Sequence, residues 1–126
     1  MDEALGQKSI ARLDKSSFQE LQAIYLERST EQKGFPDSYC TKVSKDISDL
    51  LGFKYREGTV TLDFPNSKNV LSPTHAWCED ADGNIIDLTA HQFNSCLTKK
   101  FFEGVQIIRP KDPQYKRYLS LDNKVE

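Results

Sequence analysis

Several features that would point to a partner are missing from this sequence. No apolar run approaches the ~18 residues of a membrane span, and the first residues, MDEALGQKS, are acidic and polar where a signal peptide is basic and then apolar. Both absences predict a soluble protein made in the cytoplasm with no membrane partner, which leaves delivery to another cell by a signal-independent route open. Basic residues are not massed either. The 17 Lys and Arg are interspersed with 19 Asp and Glu for a net charge of -2, so there is no stripe for nucleic acid. Cysteine is sparse and odd in number, three in all, without a CxxC pair or the dense spacing of a secreted disulfide scaffold. Reduced thiols follow. A metal site drawn from His75, Cys78, Asp87, His91 and Cys96 would match no standard zinc spacing, so the reading includes neither metal nor cofactor. There is no repeat and no low-complexity tract. What is present is 126 residues, read as one domain over 1–126, in which roughly two thirds of the unfolded surface can be buried without a staple.

Ser17 followed by Glu20 has the spacing of a capping box, and Phe18, Leu21, Ile24 and Tyr25 then recur at helical spacing to about Arg28. Gly34 and Pro36 break that helix. Asp37 or Ser38 is placed to cap a second one, with Val43, Ile47, Leu50 and Leu51 on one face and Gly52 as a left-handed C-terminal cap. Cys40 stands in its first turn and points with the buried face. After Gly52 the period becomes two: Val60, Leu62 and Phe64 alternate with polar residues in a strand beginning at Phe53, with Gly58 as a bend or bulge. Residues 65–73 read as a polar turn region. His75 to Cys78 and Asn84 to Leu88 form a hairpin around Asp82-Gly83. A loop with a short helical turn spans 89–96, a last strand spans 104–108, and a charged, Tyr-containing tail ends the chain. Two helices followed by mostly antiparallel strands make an α+β fold.

The residues that carry chemistry are Cys40, His75 and Asp87. A free thiol has a pKa of ~8.5, yet the thiolate is the nucleophile. Lowering that pKa to ~6 takes about 3.4 kcal/mol, whereas a helix N-terminus supplies only ~0.3 to 1 kcal/mol, or ~2 when partly buried. An imidazolium partner is required. His75 fits that role, and Asp87 can fix its tautomer and stabilise its charged form. The hairpin imposes a condition. If Asp80 closes the loop opposite Asn84, Trp77 faces Asp87 and His75 lies diagonally adjacent on the same side of the sheet. A two-residue Asp82-Gly83 loop would send His75 and Asp87 to opposite faces.

In PDSYCTKVSKDISDLLG, THAWCED and GNIIDLTAHQF, the order Cys40, His75, Asp87 resembles the transglutaminase-like branch of the papain-like cysteine enzymes. That superfamily includes arylamine N-acetyltransferases, lasso-peptide leader peptidases and bacterial deamidase effectors. The resemblance covers about residues 35 to 110 and is strongest from His75 to Phe93, where the chain looks like several small bacterial members. It implies a papain-like core with N-terminal helices on an antiparallel sheet. It also implies a Cys-His-Asp triad and acyl transfer through a thioester on Cys40, with a protein or peptide as substrate. Hydrolysis of a peptide or a glutamine side-chain amide is the first expectation, since water needs no second binding site. Transamidation or acyl transfer to an amine is the same chemistry with another acceptor. The glutamine that precedes the nucleophile in papain-type enzymes, and completes the oxyanion hole, is absent: Gly34 and Phe35 stand in that area. The backbone N-H of Cys40 is the natural first donor, while Gln32, Tyr39 and Trp77 are uncommitted candidates for the second.

Plainer readings compete with each assignment. A lone cysteine is commonly a small core residue, and a His-Asp pair on a hairpin is commonly an exposed contact of little consequence. Cys78 alternates with Trp77 and is read as core, facing away from His75. Cys96 has Lys99 and Lys100 nearby but no orienting partners. His91 and Gln92 lie just past Asp87, where they can line the cleft or simply occupy a loop. Phe101, Phe102, Tyr115 and Tyr118 are read as core and tail residues rather than a stacking platform, because no basic patch interleaves with them. The rival to an enzyme is a non-catalytic protein-binding module on the same fold.

Overall fold

Helix α1 (Lys15–Glu31) begins most of a turn before the position that Ser17 and Glu20 predict. Asp14 takes the capping role. Its Oδ1 accepts the Ser17 N-H at 2.8 Å, and Ser17 Oγ accepts the Asp14 N-H at 2.9 Å, a reciprocal pair upstream of the expected Ser17–Glu20 one. The structure is a computed structural model that describes residues 9–31, 34–35 and 39–121. The predicted caps Asp37 and Ser38 therefore lie outside the described residues. Helix α2 (Cys40–Leu51) starts at Cys40 and stops at Gly52, whose φ of 81° puts it in the left-handed conformation expected of it. Val43 and Ile47 are buried as predicted, but Leu50 is turned outward and Ser44 takes the inward place.

The expected strand is β1 (Lys54–Phe64). Among the described residues the strands form one curled antiparallel sheet in the order β2 (Ser67–Leu71), β1, β3 (His75–Glu79), β4 (Ile85–Asp87), β5 (Gln106–Ile108), with β6 (Tyr118–Ser120) also paired to β1. The segment read as a polar turn contains β2 (Ser67–Leu71), a hairpin partner of β1 across a turn at residues 65–66. Every residue of β2 is exposed, so no apolar alternation marked it as a strand. The predicted hairpin is β3 (His75–Glu79) and β4 (Ile85–Asp87), and the predicted last strand is β5 (Gln106–Ile108). Beyond it the chain does not trail off. A 3-10 helix at Pro113–Arg117 leads into β6 (Tyr118–Ser120), which returns to pair with Gly58, Thr59 and Val60 of β1.

Gly58 is neither bend nor bulge. It sits opposite both His75 and Ser120, and a Cβ there would overlap the Leu119 carbonyl oxygen and lie 2.8 Å from the Trp77 ring. Close approach of two neighbouring strands demands glycine at this position. The register irregularity of β1 falls between Leu62 and Phe64 instead.

The two helices pack on one face of the sheet. Leu21 of α1 and Val43 and Ile47 of α2 meet Cys78 and Ile86 there, while Trp77, Ile85, Phe101, Ile108 and Tyr118 fill a second apolar cluster on the opposite face. The period-two pattern of the strands sorts neighbours such as Trp77 and Cys78 between the two. Among the described residues no helix is long and apolar enough to cross a membrane.

Candidate active site

The hairpin takes the register that unites His75 and Asp87, and the Asp80 side chain explains why. Its Oδ1 accepts the N-H groups of Asp82 at 3.0 Å and Asn84 at 2.9 Å, while its Oδ2 accepts from Leu13 N at 2.9 Å and Asn84 Nδ2 at 3.1 Å. These bonds hold a three-residue loop closed by Asp80 N-H to Asn84 O at 3.1 Å. Gly83 takes a φ of 83°, as such loops require. Cys78 then pairs with Ile86 and Glu79 with Ile85. Continuing that register sets Trp77 across from Asp87 and puts His75 on the same face.

His75 is the first residue of β3 and is 1% exposed. Its ring is enclosed by Phe93 at 5.1 Å, Trp77 at 6.0 Å and Tyr118 at 6.5 Å. Nε2 lies 2.7 Å from Asp87 Oδ2, so the imidazole donates to the carboxylate there. Asp87 is also 1% exposed, and its remaining capacity is well used. Oδ1 accepts from Thr89 N at 2.9 Å and Thr89 Oγ1 at 3.3 Å, and Oδ2 accepts from the Tyr118 hydroxyl at 2.6 Å. Burial alone would raise the Asp87 pKa, but the His75 charge and these donors outweigh it and hold the carboxyl below its usual range. Burial likewise disfavours the His75 cation. Asp87, with help from Cys40, overrides this and raises the imidazole to about 9.

With Nε2 committed to Asp87, Nδ1 is the nitrogen left over, and the Cys40 thiol lies near enough to the imidazole for each to shift the other's titration. Cys40 is half-buried at the start of α2. Burial pushes its pKa up, yet the bond to His75, the imidazolium charge, the Ala76 backbone N-H and the Thr41 hydroxyl together bring it below the ordinary thiol value. A thiol lowered and an imidazole raised favour a thiolate-imidazolium pair. That arrangement can attack an electrophilic carbon and return a proton to the group that leaves.

The other residues singled out in the sequence divide clearly. Cys78 lies on the helix face of β3, donates its thiol hydrogen to Ser44 O at 3.1 Å, and has its pKa pushed up to about 12 by burial. Its position away from His75 and Asp87 breaks the hypothetical metal set. Cys96 is exposed, in a left-handed conformation with φ of 66°, and its neighbour Ser95 is its hydrogen-bonding partner. The His91 ring packs at a tilt against Tyr25 at 5.9 Å and Phe35 at 6.2 Å. Trp77 is core rather than a donor to a ligand: its Nε1 is buried, and its ring meets Tyr118 edge-on at 4.9 Å. Gln32 lies outside the described residues, and the half-buried Tyr39 ring leans on Phe35 at 5.9 Å.

Three participants were not assigned from sequence. Tyr118 and Gln106 extend the chain of bonds behind Asp87, Gln106 Nε2 donating to the Tyr118 oxygen at 3.0 Å. Thr89 closes the other carboxylate oxygen. No sequence pattern links Tyr118 to Asp87, which lie 31 residues apart, whereas an oxygen-bearing residue two positions after an aspartate is a recognisable Asx-type signal for Thr89. Gln92, on the 3-10 helix Ala90–Phe93, brings its Nε2 to 3.4 Å from His75 Nδ1. Neither the family models, the curated proteins nor the solved structures contain a match to this chain.

Proposed function

We propose that this protein is a cysteine-dependent acyl-transfer enzyme with a transglutaminase-like, papain-like core, acting in the cytoplasm on a protein or peptide. The observation that carries this reading is the imidazole of His75 bonded to a buried, fully hydrogen-bonded Asp87 and interacting with the thiol of Cys40 at the start of a helix. An isolated core cysteine needs no such partner, and a surface His-Asp contact would not be 99% buried with three further donors on its carboxylate.

In this reading the Cys40 thiolate adds to an amide carbon. The carbonyl π electrons move to oxygen, and the tetrahedral species collapses to a thioester as the proton on His75 Nδ1 passes to the departing amine. Water, deprotonated by the now neutral His75, attacks the thioester, and the thiolate leaves as the imidazolium re-forms. An amine in place of water gives transamidation. Peptide or glutamine-amide hydrolysis is the preferred outcome because it needs no second acceptor site.

Two measurements test the proposal. Iodoacetamide at pH 6 should label Cys40 much faster than Cys78 or Cys96, and His75→Ala should remove that advantage. Equal, slow labelling of all three thiols favours a binding module instead. Proteomes of cells expressing the wild type and Cys40→Ala should differ by new termini, deamidated glutamines or cross-links, and no difference in any of these would defeat the enzyme reading. The pH sign follows from the two directions. Acyl transfer should rise as Cys40 ionises below the ordinary thiol pKa, then fall as His75 loses its proton near 9.

A further inference from the structure

The triad leaves one polar side chain in contact with its working nitrogen unexplained. Gln92 Nε2 lies 3.4 Å from His75 Nδ1, the imidazole nitrogen that Asp87 does not take. The turn that bears it is tied to Asp87 itself: the Gln92 N-H donates to Thr89 O at 3.0 Å, and Thr89 donates twice to Asp87 Oδ1. Gln92 is half-buried, not sealed in the core.

We propose that Gln92 supplies the second oxyanion-hole donor, its side-chain N-H pairing with the backbone N-H of Cys40 to hold the oxygen of the tetrahedral species. This inference rests on the acyl-transfer reading above. Its chemistry follows from proton bookkeeping at Nδ1. When the imidazole is neutral with its hydrogen on Nε2, Nδ1 has a lone pair and the Gln92 amide has an acceptor. When the thiolate-imidazolium pair forms, Nδ1 carries a hydrogen and accepts nothing. The amide N-H is then left without that acceptor beside the imidazolium, at the moment a carbonyl oxygen is about to gain charge. A 3.4 Å contact is long for a hydrogen bond and gives little resistance to such a turn. Of the positions offered by the sequence, the Trp77 indole N-H is buried in the core, the Tyr39 ring leans on Phe35, and Gln32 lies outside the described residues.

The test uses two reactions of one sulfur. Alkylation by iodoacetamide displaces iodide and makes no oxyanion, whereas acetylation by p-nitrophenyl acetate passes through one. Both are followed at the Cys40 peptide by mass spectrometry in a Cys96→Ser background. Gln92→Ala and the volume-conserving Gln92→Met should slow acetylation about 10²-fold, the loss expected for one oxyanion donor. Their alkylation rates and pH profiles should stay within about twofold of wild type if the thiolate is intact, as the single-donor account requires. Equal losses in both reactions would show that Gln92 merely positions the imidazole, and unchanged acetylation would show that it has no part; either overturns the proposal alone. If wild-type Cys40 is acetylated no faster than Cys40 in His75→Ala, the acyl-transfer reading falls and takes this proposal with it.

Discussion

Asp80 is the residue on which the register of the site turns, so Asp80→Ala tests the reasoning most directly. The substitution deletes a 3%-exposed carboxylate that accepts four hydrogen bonds. The Asp82 N-H lies near solvent and can find water. The Asn84 N-H is buried, and an orphaned buried donor costs about 1–3 kcal/mol. Adding the lost Leu13 contact, which anchors the segment before α1, brings the expected loss to about 3 kcal/mol. At about 4 °C per kcal/mol for a chain of this size, Tm should fall by about 12 °C. Asp80→Asn keeps an acceptor oxygen and should lose about half as much. The same carboxyl is held below its usual pKa because these donors outweigh its burial, so its contribution is present above the unfolded value of about 3.8 and disappears as pH falls through the lower folded value. Thermal melts by circular dichroism at pH 7 and pH 3 measure both effects. Iodoacetamide labelling at pH 6 adds the functional readout. Without the clamp, the two-residue Asp82-Gly83 loop can compete, and a one-residue slip separates His75 from Asp87. A variant that melts within about 1 °C of wild type and keeps fast Cys40 labelling would show that Asp80 does not select the register.

Tyr118→Phe removes one of the two donors on Asp87 Oδ2 and leaves Gln106 Nε2 without its partner. A loss of about 1.5–3 kcal/mol is expected in urea unfolding at pH 7, as for hydrogen bonds to a charged group. Because Asp87 becomes more basic, the His75 pKa, followed by NMR, should move upward from about 9, and a downward shift would contradict the assigned bonding. Gly58→Ala places a methyl against Leu119 O and the Trp77 ring, so β6 should detach from β1 with a loss above about 3 kcal/mol. Fast amide hydrogen exchange at Thr59, which pairs with Leu119 of β6, reports it, and native protection there would disprove the crowding argument.

Much of the fold was legible because its signals are local. The apolar spacing of Val43 and Ile47, the left-handed Gly52 and the alternation of Val60, Leu62 and Phe64 identify α2 and β1 over stretches of a few residues. The polar β2 and the terminal β6 escaped the same method. One exposes all its residues, and the other has only three residues, paired across a separation of about sixty positions to Gly58–Val60. Burial patterns too short or too exposed to repeat carry no period to read. Leu50 shows the converse error: it has the right spacing for the buried face, but the chain turns it outward, 68% exposed.

By itself the sequence determined the candidate chemistry. It set Cys40 at a helix start, His75 and Asp87 on adjoining strands, and an aspartate positioned to close the loop between them, because capping, alternation and turn formation depend on neighbours along the chain. Only the tertiary structure decided that Asp80 chooses the uniting register, that Tyr118 and Gln106 back Asp87, and that Gln92 meets His75 Nδ1. Those contacts depend on which face of the sheet each side chain occupies and on the return of a distant strand. Long-range closure of this kind is set by the burial of the whole core, which no short window of residues contains.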